Sequence, residues 1–395
     1  MFYAVLFCAF FLLLHFTQHL NLLSETSFLN WDAAHYFFIK ENGYEGFRVA
    51  FFPLFPFFWG LLHIGPAAMA FLNGLIYMGG VSLLFAVLNI TDKRYFFLAL
   101  SCPSLLFMFL PYSEAVFFLS AVILLIGLHK KNNLAVIAGL LLCSLARPVA
   151  YIFIPAVVLT EFLTGTDHKK ILLNSLLYSF AIAFGLFITV LIQHHYTNDW
   201  FSFFKAQAGW GNYFRLPELP LNSWAGGTIV RLDGTALLIG VIASIAAVML
   251  LIKKINKNII SDSKVLVFSI LYLGGIAMFV LFFRGGWLFS LNRFVFATPF
   301  FLVASYFFLQ KIHLTSKQLL ICFFAVTLYW FLFKSFVHIQ TLLKYEALTV
   351  YLLLFTLFHH ENKAVRTISF IGCLVGNIFL LLFLYYRFLS GGWVG

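Results

Sequence analysis

The chain has 395 residues, of which 63% are hydrophobic and only 10% are Asp, Glu, Lys or Arg, and its formal net charge is +11. A soluble domain carries roughly 45–50% apolar and about 25% charged residues, so this chain has too few charges to cover a water-facing surface. The composition therefore excludes an ordinary soluble protein and predicts a polytopic, all-α membrane protein in contact with the lipid bilayer.

Apolar runs recur along the whole chain, which we treat as a single domain, 1–395. A helix needs roughly 20 residues to cross about 30 Å of hydrocarbon, and several runs are shorter, so bent or re-entrant helices are expected. We predict about 11–13 transmembrane or re-entrant helices. They lie at 2–20, 67–89, 95–110, 115–128, 149–163, 171–193, 235–252, 265–283, 294–310, 318–333, 347–358 and 367–388. A further short run, 134–146, could pair with 149–163 as two half-helices that meet at Arg147-Pro148.

The first apolar run lacks a basic flank and a small-residue cleavage site, which favours a retained helix over a cleaved signal. The cysteines all lie inside apolar runs without CxxC spacing, so they predict neither disulfides nor a metal site. They are Cys8, Cys102, Cys143, Cys322 and Cys373.

Basic residues between the runs predict the orientation of the chain. Lysines occur there in short pairs: Lys130-Lys131, Lys169-Lys170 and Lys253-Lys254. Such pairs are typical of cytoplasmic links and do not indicate nucleic-acid binding. This orientation places two long loops, 24–66 and 194–234, on the outer side, in the periplasm, outside the cell or in a lumen.

Arginine is concentrated on the predicted outer side. Its planar guanidinium binds phosphate or carboxylate through two donors, so the bias indicates an anionic substrate there. The alternative is that these side chains reach lipid headgroups. That alternative is weaker for Arg147 and Arg293, which lie beside or between apolar runs.

The 24–66 loop contains a polar and aromatic segment that is compatible with a helix ending at Asn42-Gly43. Asp32 and His35 are three positions apart and would project from one face of that helix. One interpretation is a general base at the membrane surface, which takes a proton from an attacking hydroxyl. The alternative is that Asp32 caps the helix and His35 is an ordinary interfacial histidine.

The later part of the same loop, 47–59, is apolar, rich in Phe and interrupted by Pro53 and Pro56. Proline breaks the helical hydrogen-bond pattern, so this part cannot form one straight spanning helix. We expect interfacial helices that lie along the outer leaflet and could wall a groove for a lipid tail.

The ordered pattern Trp-Asp-x-x-His-Tyr-x-x-Ile-x-x-x-Gly-Tyr, followed by Phe-Phe-Pro-x-x-Pro, strongly resembles the PIG-V family of membrane mannosyltransferases, within the GT-C glycosyltransferase superfamily. The matching positions are Trp31, Asp32, His35, Tyr36, Ile39, Gly43, Tyr44, Phe51, Phe52, Pro53 and Pro56. Weaker resemblances follow in the family's order. They are Pro111-Tyr112-Ser113-Glu114, Ala146-Arg147-Pro148, the 206–211 segment, and Asn292-Arg293-Phe294 with Pro299.

The resemblance implies a GT-C fold with a catalytic first outer loop. It also implies inverting transfer of a sugar, mannose by family, from a polyprenyl-phosphate donor to a lipid-linked or glycan acceptor on the outer or luminal face. Asp32 would be the base, and His35 would orient a substrate or share the proton. Cations would stabilise the leaving phosphate. The candidates for that role are Arg147, Arg293 and Arg284. The substrate-binding candidates are Trp31, Tyr36, Tyr44, Glu114, Gln207 and Trp210.

Some of these residues have ordinary alternatives. Glu114 could be a first-turn acid favoured by the helix dipole, and Gln207 and Trp210 could be interfacial anchors. The chain has no P-loop or Rossmann glycine pattern, and it predicts no cofactor and no obligate protein partner.

The adjacent histidines His194-His195 and His359-His360 do not predict a metal site. Neighbouring residues on a helix point about 100° apart, and the two pairs fall on opposite predicted faces. A competing function is a flippase or transporter of lipid-linked sugars. A transporter, however, needs polar groups near the bilayer midplane, whereas these charges cluster at outer ends and loops.

Overall fold

The computed structural model describes residues 1–148, 152–256, 263–333 and 338–395. The α-helices are α1 (Phe2–Phe16), α2 (Asp32–Asn42), α3 (Leu54–Leu62), α4 (Pro66–Val87), α5 (Lys93–Ser101), α6 (Glu114–Lys130), α7 (Asn133–Ala146), α8 (Phe153–Thr164), α9 (His168–Thr197), α10 (Ser202–Gly209), α11 (Gly227–Ile255), α12 (Lys264–Phe283), α13 (Leu291–Phe296), α14 (Pro299–Lys311), α15 (Ser316–Trp330), α16 (Ile339–Thr356) and α17 (Lys363–Leu389). Single-turn 3-10 helices occur at Leu20–Leu23, Glu25–Leu29 and Gly46–Ala50, with a longer one at Pro103–Phe109.

Five of the described helices are long and apolar enough to cross a membrane: α4, α9, α11, α12 and α17. A sixth crossing is made if the 3-10 helix Pro103–Phe109 and α6, which meet at 103°, form one broken span. The chain therefore has the helices of an all-α membrane protein. The larger predicted number depends on shorter helices such as α1, whose 15 residues extend about 22 Å.

The two half-helices predicted around Arg147-Pro148 are present as separate helices. The first, α7, ends at Ala146, and the second, α8, begins at Phe153. Positions 149–151 of the predicted second half lie outside the described residues. The break leaves Arg147 at the end of α7, where its side chain is directed towards the site described below.

The centre of the bundle is formed by α6 and α12, which are mostly apolar and bury most of their residues. Phe117 of α6 and Phe268 of α12 are completely buried. Between them lies Phe153 of α8, whose ring contacts Phe268 edge-on at 5.5 Å and Phe300 at 5.7 Å between centroids. This aromatic core supports the ends of the helices that carry the polar residues.

Small residues allow neighbouring helices to approach closely. A methyl group at Gly139 of α7 would lie 2.5 Å from the backbone nitrogen of Leu124 in α6. At Gly240 of α11 it would lie 2.0 Å from Cβ of Ala277 in α12. Close backbone approach at small residues is typical of helix packing in lipid, where apolar burial does not drive association.

The 24–66 loop folds as predicted into short, separate helices. Its first α-helix, α2, ends at Asn42, and Gly43 follows with φ +79°, a conformation that favours glycine. The ring of Tyr196 occupies the space that a Cβ at Gly43 would need, at 2.2 Å. Pro53 divides the second part, because α3 begins at Leu54 directly after it, whereas Pro56 lies within the first turn of α3 and does not interrupt the helix.

The 194–234 loop is shorter than its predicted bounds, because α9 continues to Thr197 and α11 begins at Gly227. Between them lie α10 and an extended strand-like segment that is hydrogen-bonded to the turn after α12. The Arg215 nitrogen donates to the Phe282 oxygen at 3.0 Å, and the Leu288 nitrogen donates to the Asn222 oxygen at 2.8 Å. This docking holds the loop over the end of the bundle.

Candidate functional site

A cavity of about 670 Å³ opens between the 24–66 loop, the end of α7, the 194–234 loop and α13. It brings together most of the residues singled out from the sequence. Those that line it are Trp31, Asp32, His35, Tyr36, Arg147, Gln207, Trp210, Arg284 and Arg293. Of the predicted residues, Glu114 lies behind the wall and Tyr44 lines a neighbouring cavity instead.

Asp32 is the first residue of α2 and does not cap it. The N-cap position is held by Trp31, and no side chain caps this helix, so the capping alternative for Asp32 is wrong. The Asp32 carboxylate instead accepts a hydrogen bond from Arg293, with 2.7 Å between Oδ2 and Nη1. Its Oδ1 has no hydrogen-bond partner among the residues that the structure describes, and the side chain faces the cavity.

The backbone at Trp31 adopts φ +56°, which is uncommon for a residue with a side chain and costs about 1–3 kcal/mol. Two contacts, one with the last turn of α17 and one with the segment after it, hold it there. Trp31 Nε1 donates to the Gly391 oxygen at 3.1 Å, and Asn30 Nδ2 donates to the Phe388 oxygen at 2.8 Å. The strained turn directs Asp32 towards Arg293 at the start of α2.

Arg293 and Arg147 share one buried carboxylate. Glu114, at the start of α6, is completely buried, and its Oε1 lies 2.6 Å from Nη2 of Arg293 and 3.1 Å from Nη1 of Arg147. Arg293 is 3% exposed and Arg147 is 5% exposed. Because Arg293 also pairs with Asp32, the cluster joins two carboxylates and two guanidinium groups that come from four separate elements.

Sequence reasoning missed the group that holds Arg293 in place. Asp233, near the start of α11, is completely buried, and its Oδ1 accepts from the Asn292 backbone nitrogen at 2.8 Å and from Asn292 Nδ2 at 2.7 Å. Its Oδ2 accepts from Ser223 Oγ. Asn292 precedes Arg293, so this network fixes the first turn of α13. An acid within a membrane-spanning helix is rare and is a signal of function, but the predicted span 235–252 began two residues after Asp233, which lies inside α11.

Two further arginines lie on the opposite wall. The Arg284 guanidinium stacks on the Phe289 ring, 3.7 Å from its centroid, and donates to the Phe289 oxygen. Arg215 was not among the predicted site residues. Its Nη1 donates to the Tyr213 hydroxyl at 2.6 Å, and its Nη2 donates to the Arg284 oxygen at 3.4 Å. The loop docking described above places Arg215 beside Arg284.

The cavity has an excess of positive charge. Its charged lining residues are Asp32, Arg147, Arg215, Arg284 and Arg293. Two carboxylates lie behind the wall: Glu114, which contacts Arg147 and Arg293, and Asp233, which interacts electrostatically with Arg284. Four guanidinium groups against three carboxylates leave one net positive charge (4 − 3 = +1). Such a cavity favours an anionic ligand.

The remaining predicted residues have different environments. Tyr36 donates to Ser113 Oγ at 2.8 Å, and burial, reinforced by the negative charge of Glu114, raises its pKa above the usual value. It therefore stays a neutral phenol. Gln207 Oε1 accepts from Asn212 Nδ2 at 2.8 Å. The Trp210 ring is 45% exposed and lies near the rings of Phe47 and Phe51.

Across the described ranges, no three His, Cys, Asp or Glu side chains are close enough to hold a metal ion. The ring of His194 stacks on Trp200 with 4.0 Å between centroids. His359 contacts Phe358 edge-on. These two histidines pack against aromatic rings.

His35 is half-buried against Phe47 and Phe51, with 5.1 Å between ring centroids in each case. Burial lowers its pKa below 6.5; Asp32 opposes this shift and Arg48 adds to it. The imidazole is therefore neutral at pH 7 and gains a proton only on the acid side of 6.5. If the protein has the activity proposed below, we expect that activity to fall as the pH drops through the lowered pKa, because the protonated imidazole adds a positive charge that pairs with Asp32. A series of activity measurements against pH should show this fall at low pH for the wild type, and the fall should be absent in His35→Gln. If the variant shows the same fall, the group that titrates is not His35.

The chain matches no protein-family model, and no curated protein or solved structure matches it either.

Proposed function

We propose that the protein is an integral-membrane glycosyltransferase that moves a sugar, mannose, from a polyprenyl-phosphate donor to a hydroxyl of a lipid-linked or glycan acceptor. The observation that carries the proposal is a single carboxylate, Asp32, on the wall of a cavity otherwise charged by arginines. The first-loop pattern that resembles the PIG-V family supports the same assignment. In this proposal the site lies on the outer or luminal face of a multi-pass protein.

The proposed reaction is a single displacement at the anomeric carbon. The acceptor oxygen forms a bond to that carbon while the bond from the carbon to the phosphate oxygen breaks, and the electron pair leaves with the phosphate. The acceptor proton passes to Oδ1 of Asp32. Because Oδ2 is held by Arg293 at 2.7 Å, the other oxygen is oriented for that transfer. His35 lies one helical turn away and orients the acceptor.

The proposed role of the arginines is to stabilise the departing phosphate in the transition state. The donor phosphate carries one negative charge as a diester, whereas the departing monoester carries between one and two at pH 7. A preorganised excess of positive charge therefore stabilises the departing group more than the bound donor, which lowers the barrier. Displacement of water by the bound substrates strengthens this effect, because charges attract more strongly in a medium of lower dielectric constant.

The geometry favours roles for the arginines that differ from those inferred from the sequence. Nη1 of Arg293 donates to Asp32 and to the Gly395 oxygen. Its Nε and Nη2 both contact Glu114. We therefore assign Arg293 to positioning Asp32. Arg147 and Arg284 remain the phosphate ligands, and Arg215 joins them.

The test is a transfer assay with the purified protein in detergent, radiolabelled polyprenyl-phosphate mannose as donor and a total lipid extract as acceptor. We expect a labelled product whose formation depends on the protein and on the lipid-linked donor, with no product from GDP-mannose. A transporter needs a sealed vesicle and leaves the donor unchanged. Recovery of intact donor with movement across proteoliposomes would therefore replace the proposal with that function.

Arg147→Lys tests the phosphate ligands. Lysine keeps the charge but loses the planar pair of donors, so we expect the KM for the donor to rise about tenfold or more while the protein still folds. The measurement is a donor concentration series at saturating acceptor. The control is Lys130→Arg, which also exchanges lysine and arginine but at the far end of α6. It should leave the KM for the donor unchanged. An unaltered donor KM in Arg147→Lys would move the phosphate site to the Arg284 side.

A further inference from the structure

A second cavity, of about 660 Å³, lies directly beside the first. The two share three lining residues, Phe47, Gly209 and Trp210. The Phe47 ring lies 5.1 Å from the His35 ring and 6.1 Å from the Trp210 ring. A ligand in the second cavity is thus separated from His35 by about one aromatic ring, and Asp32 lines the adjoining cavity.

Helix α10 and the end of α9 form one side of this second cavity. One face of α10 lines it, through positions at i, i+3, i+4 and i+7: Ser202, Lys205, Ala206 and Gly209. Phe204 of α10 and Phe201, which directly precedes the helix, are exposed, which suits contact with lipid. The opposite wall is held by Gln193, whose Nε2 donates to the Val49 oxygen at 2.7 Å. The cavity is therefore a built feature of the two loops.

A buried hydroxyl without a partner belongs to a residue that lines this cavity. Tyr44 is 4% exposed and lines the second cavity, and its hydroxyl has no hydrogen-bond partner among the described residues. An unsatisfied buried hydroxyl costs about 1–3 kcal/mol, so a ligand that supplies a partner is favoured. Its ring is packed against Tyr196, with 5.9 Å between centroids.

The charge of the second cavity differs from that of the first. Its charged lining residues are Glu45, Asp199 and Lys205, which sum to one negative charge (−2 + 1 = −1). Asp199 and Lys205 form an ion pair of 2.7 Å at the surface. A phosphate is repelled here, whereas an uncharged sugar with several hydroxyl groups suits carboxylate, ammonium, phenol and aromatic neighbours.

We propose that the second cavity binds the sugar portion of the acceptor. Tyr44, Asp199 and Lys205 bind its hydroxyl groups, and Trp210 packs against the ring at the opening towards Asp32. The inference rests on the proposed function and extends it, because it separates the donor and acceptor sites: the anionic donor occupies the positively charged cavity and the neutral sugar occupies the other.

The test uses the full chain in lipid nanodiscs, with octyl α-mannoside below its micelle concentration as the probe and tryptophan fluorescence as the binding signal. The variants are Tyr44→Phe, which keeps the ring, and the double variant Asp199→Asn/Lys205→Gln. The amide introduced by Asp199→Asn keeps an oxygen for the Phe201 nitrogen, which now donates to Asp199 Oδ1 at 3.0 Å. The matched control is Asp167→Asn, because Asp167 caps the opposite end of α9 and an asparagine caps equally well.

We expect the Kd for octyl mannoside to rise at least about tenfold in the double variant and about fivefold in Tyr44→Phe, since each loses hydrogen bonds to hydroxyl groups. The control should bind as wild type does. In the transfer assay the same variants should raise the KM for the acceptor and leave the KM for the donor within about twofold.

Equal binding by all forms, or no binding by wild type, overturns the inference, as does a donor KM that rises together with the acceptor KM. If the wild type transfers no sugar, the proposed function fails, and the binding measurements alone then decide whether the second cavity binds a glycoside. Weaker binding in the variants alone then retains the second cavity as a glycoside site, and equal binding removes it.

Discussion

Asp32→Asn is expected to abolish sugar transfer, lowering kcat by a factor of about 10²–10⁴. The amide cannot accept the proton that leaves the attacking hydroxyl. Its oxygen can still accept from Arg293, which now bonds Oδ2 at 2.7 Å, so α2 and the cavity should keep their shape. The measurement is the initial rate of product formation at saturating donor and acceptor.

Donor binding and thermal stability complete this experiment. Both should change little in Asp32→Asn, because Arg147 and Arg293 keep their contacts with Glu114. The same exchange at Asp167, a helix cap far from the cavity, is the control and should leave the rate unchanged. Full activity in Asp32→Asn would remove Asp32 as the base, whatever the fate of the donor site.

The second large effect is on folding, and it is expected from Glu114→Gln. Glu114 is the carboxylate that both Arg147 and Arg293 contact, and all three side chains are nearly or completely buried. Glutamine leaves two buried guanidinium groups with too little negative charge. Removing one member of a buried ion pair costs about 3–5 kcal/mol, so we expect a large fall in the midpoint of thermal unfolding.

Glu161→Gln is the matched comparison for that experiment. Glu161 is also buried, but its cationic partner is Lys264, whose side chain is 28% exposed, and Asn174 Nδ2 donates to it at 3.0 Å. Water can solvate that lysine when the carboxylate is lost, so the fall in the unfolding midpoint should be clearly smaller. Equal midpoints for the two variants would contradict a special role of Glu114 in neutralising the arginine pair.

Local spacing explains the parts of the site that the sequence predicted well. The three-residue separation of Asp32 and His35 places both on the cavity side of α2, and glycine at position 43 ends that helix as expected. Arg147 was singled out because it lies beside an apolar run, and the structure places it directly after the end of α7. Each of these inferences uses only neighbours along the chain.

Contacts between distant segments could not be predicted in this way. The carboxylate of Glu114 lies behind the cavity wall because α6 is central to the bundle, and nothing near position 114 in the sequence indicates that. Tyr44 belongs to the first-loop motif, yet it lines the second cavity because α10 folds against the 3-10 helix Gly46–Ala50. Asp233 acts through Asn292, 59 positions away.

Proline accounts for two predicted spans that are divided in the structure. The predicted span 95–110 is α5 followed, after Cys102, by the 3-10 helix that begins at Pro103. The predicted span 294–310 is α13 followed by α14, which begins at Pro299. The hydropathy of the sequence stays high across both breaks, because the residues there are buried among apolar neighbours. A search for apolar runs therefore does not detect them.

The hydrogen bond from Trp31 to the Gly391 oxygen joins positions 360 residues apart, and Arg293 also contacts Gly395. A chain that emerges from the ribosome in order cannot close this site until α17 and the segment after it have been inserted. Until then, Trp31 lacks a contact that holds its strained backbone. Assembly of the cavity therefore has to wait for α17, and we expect a nascent chain to lack the proposed activity until that helix has entered the membrane.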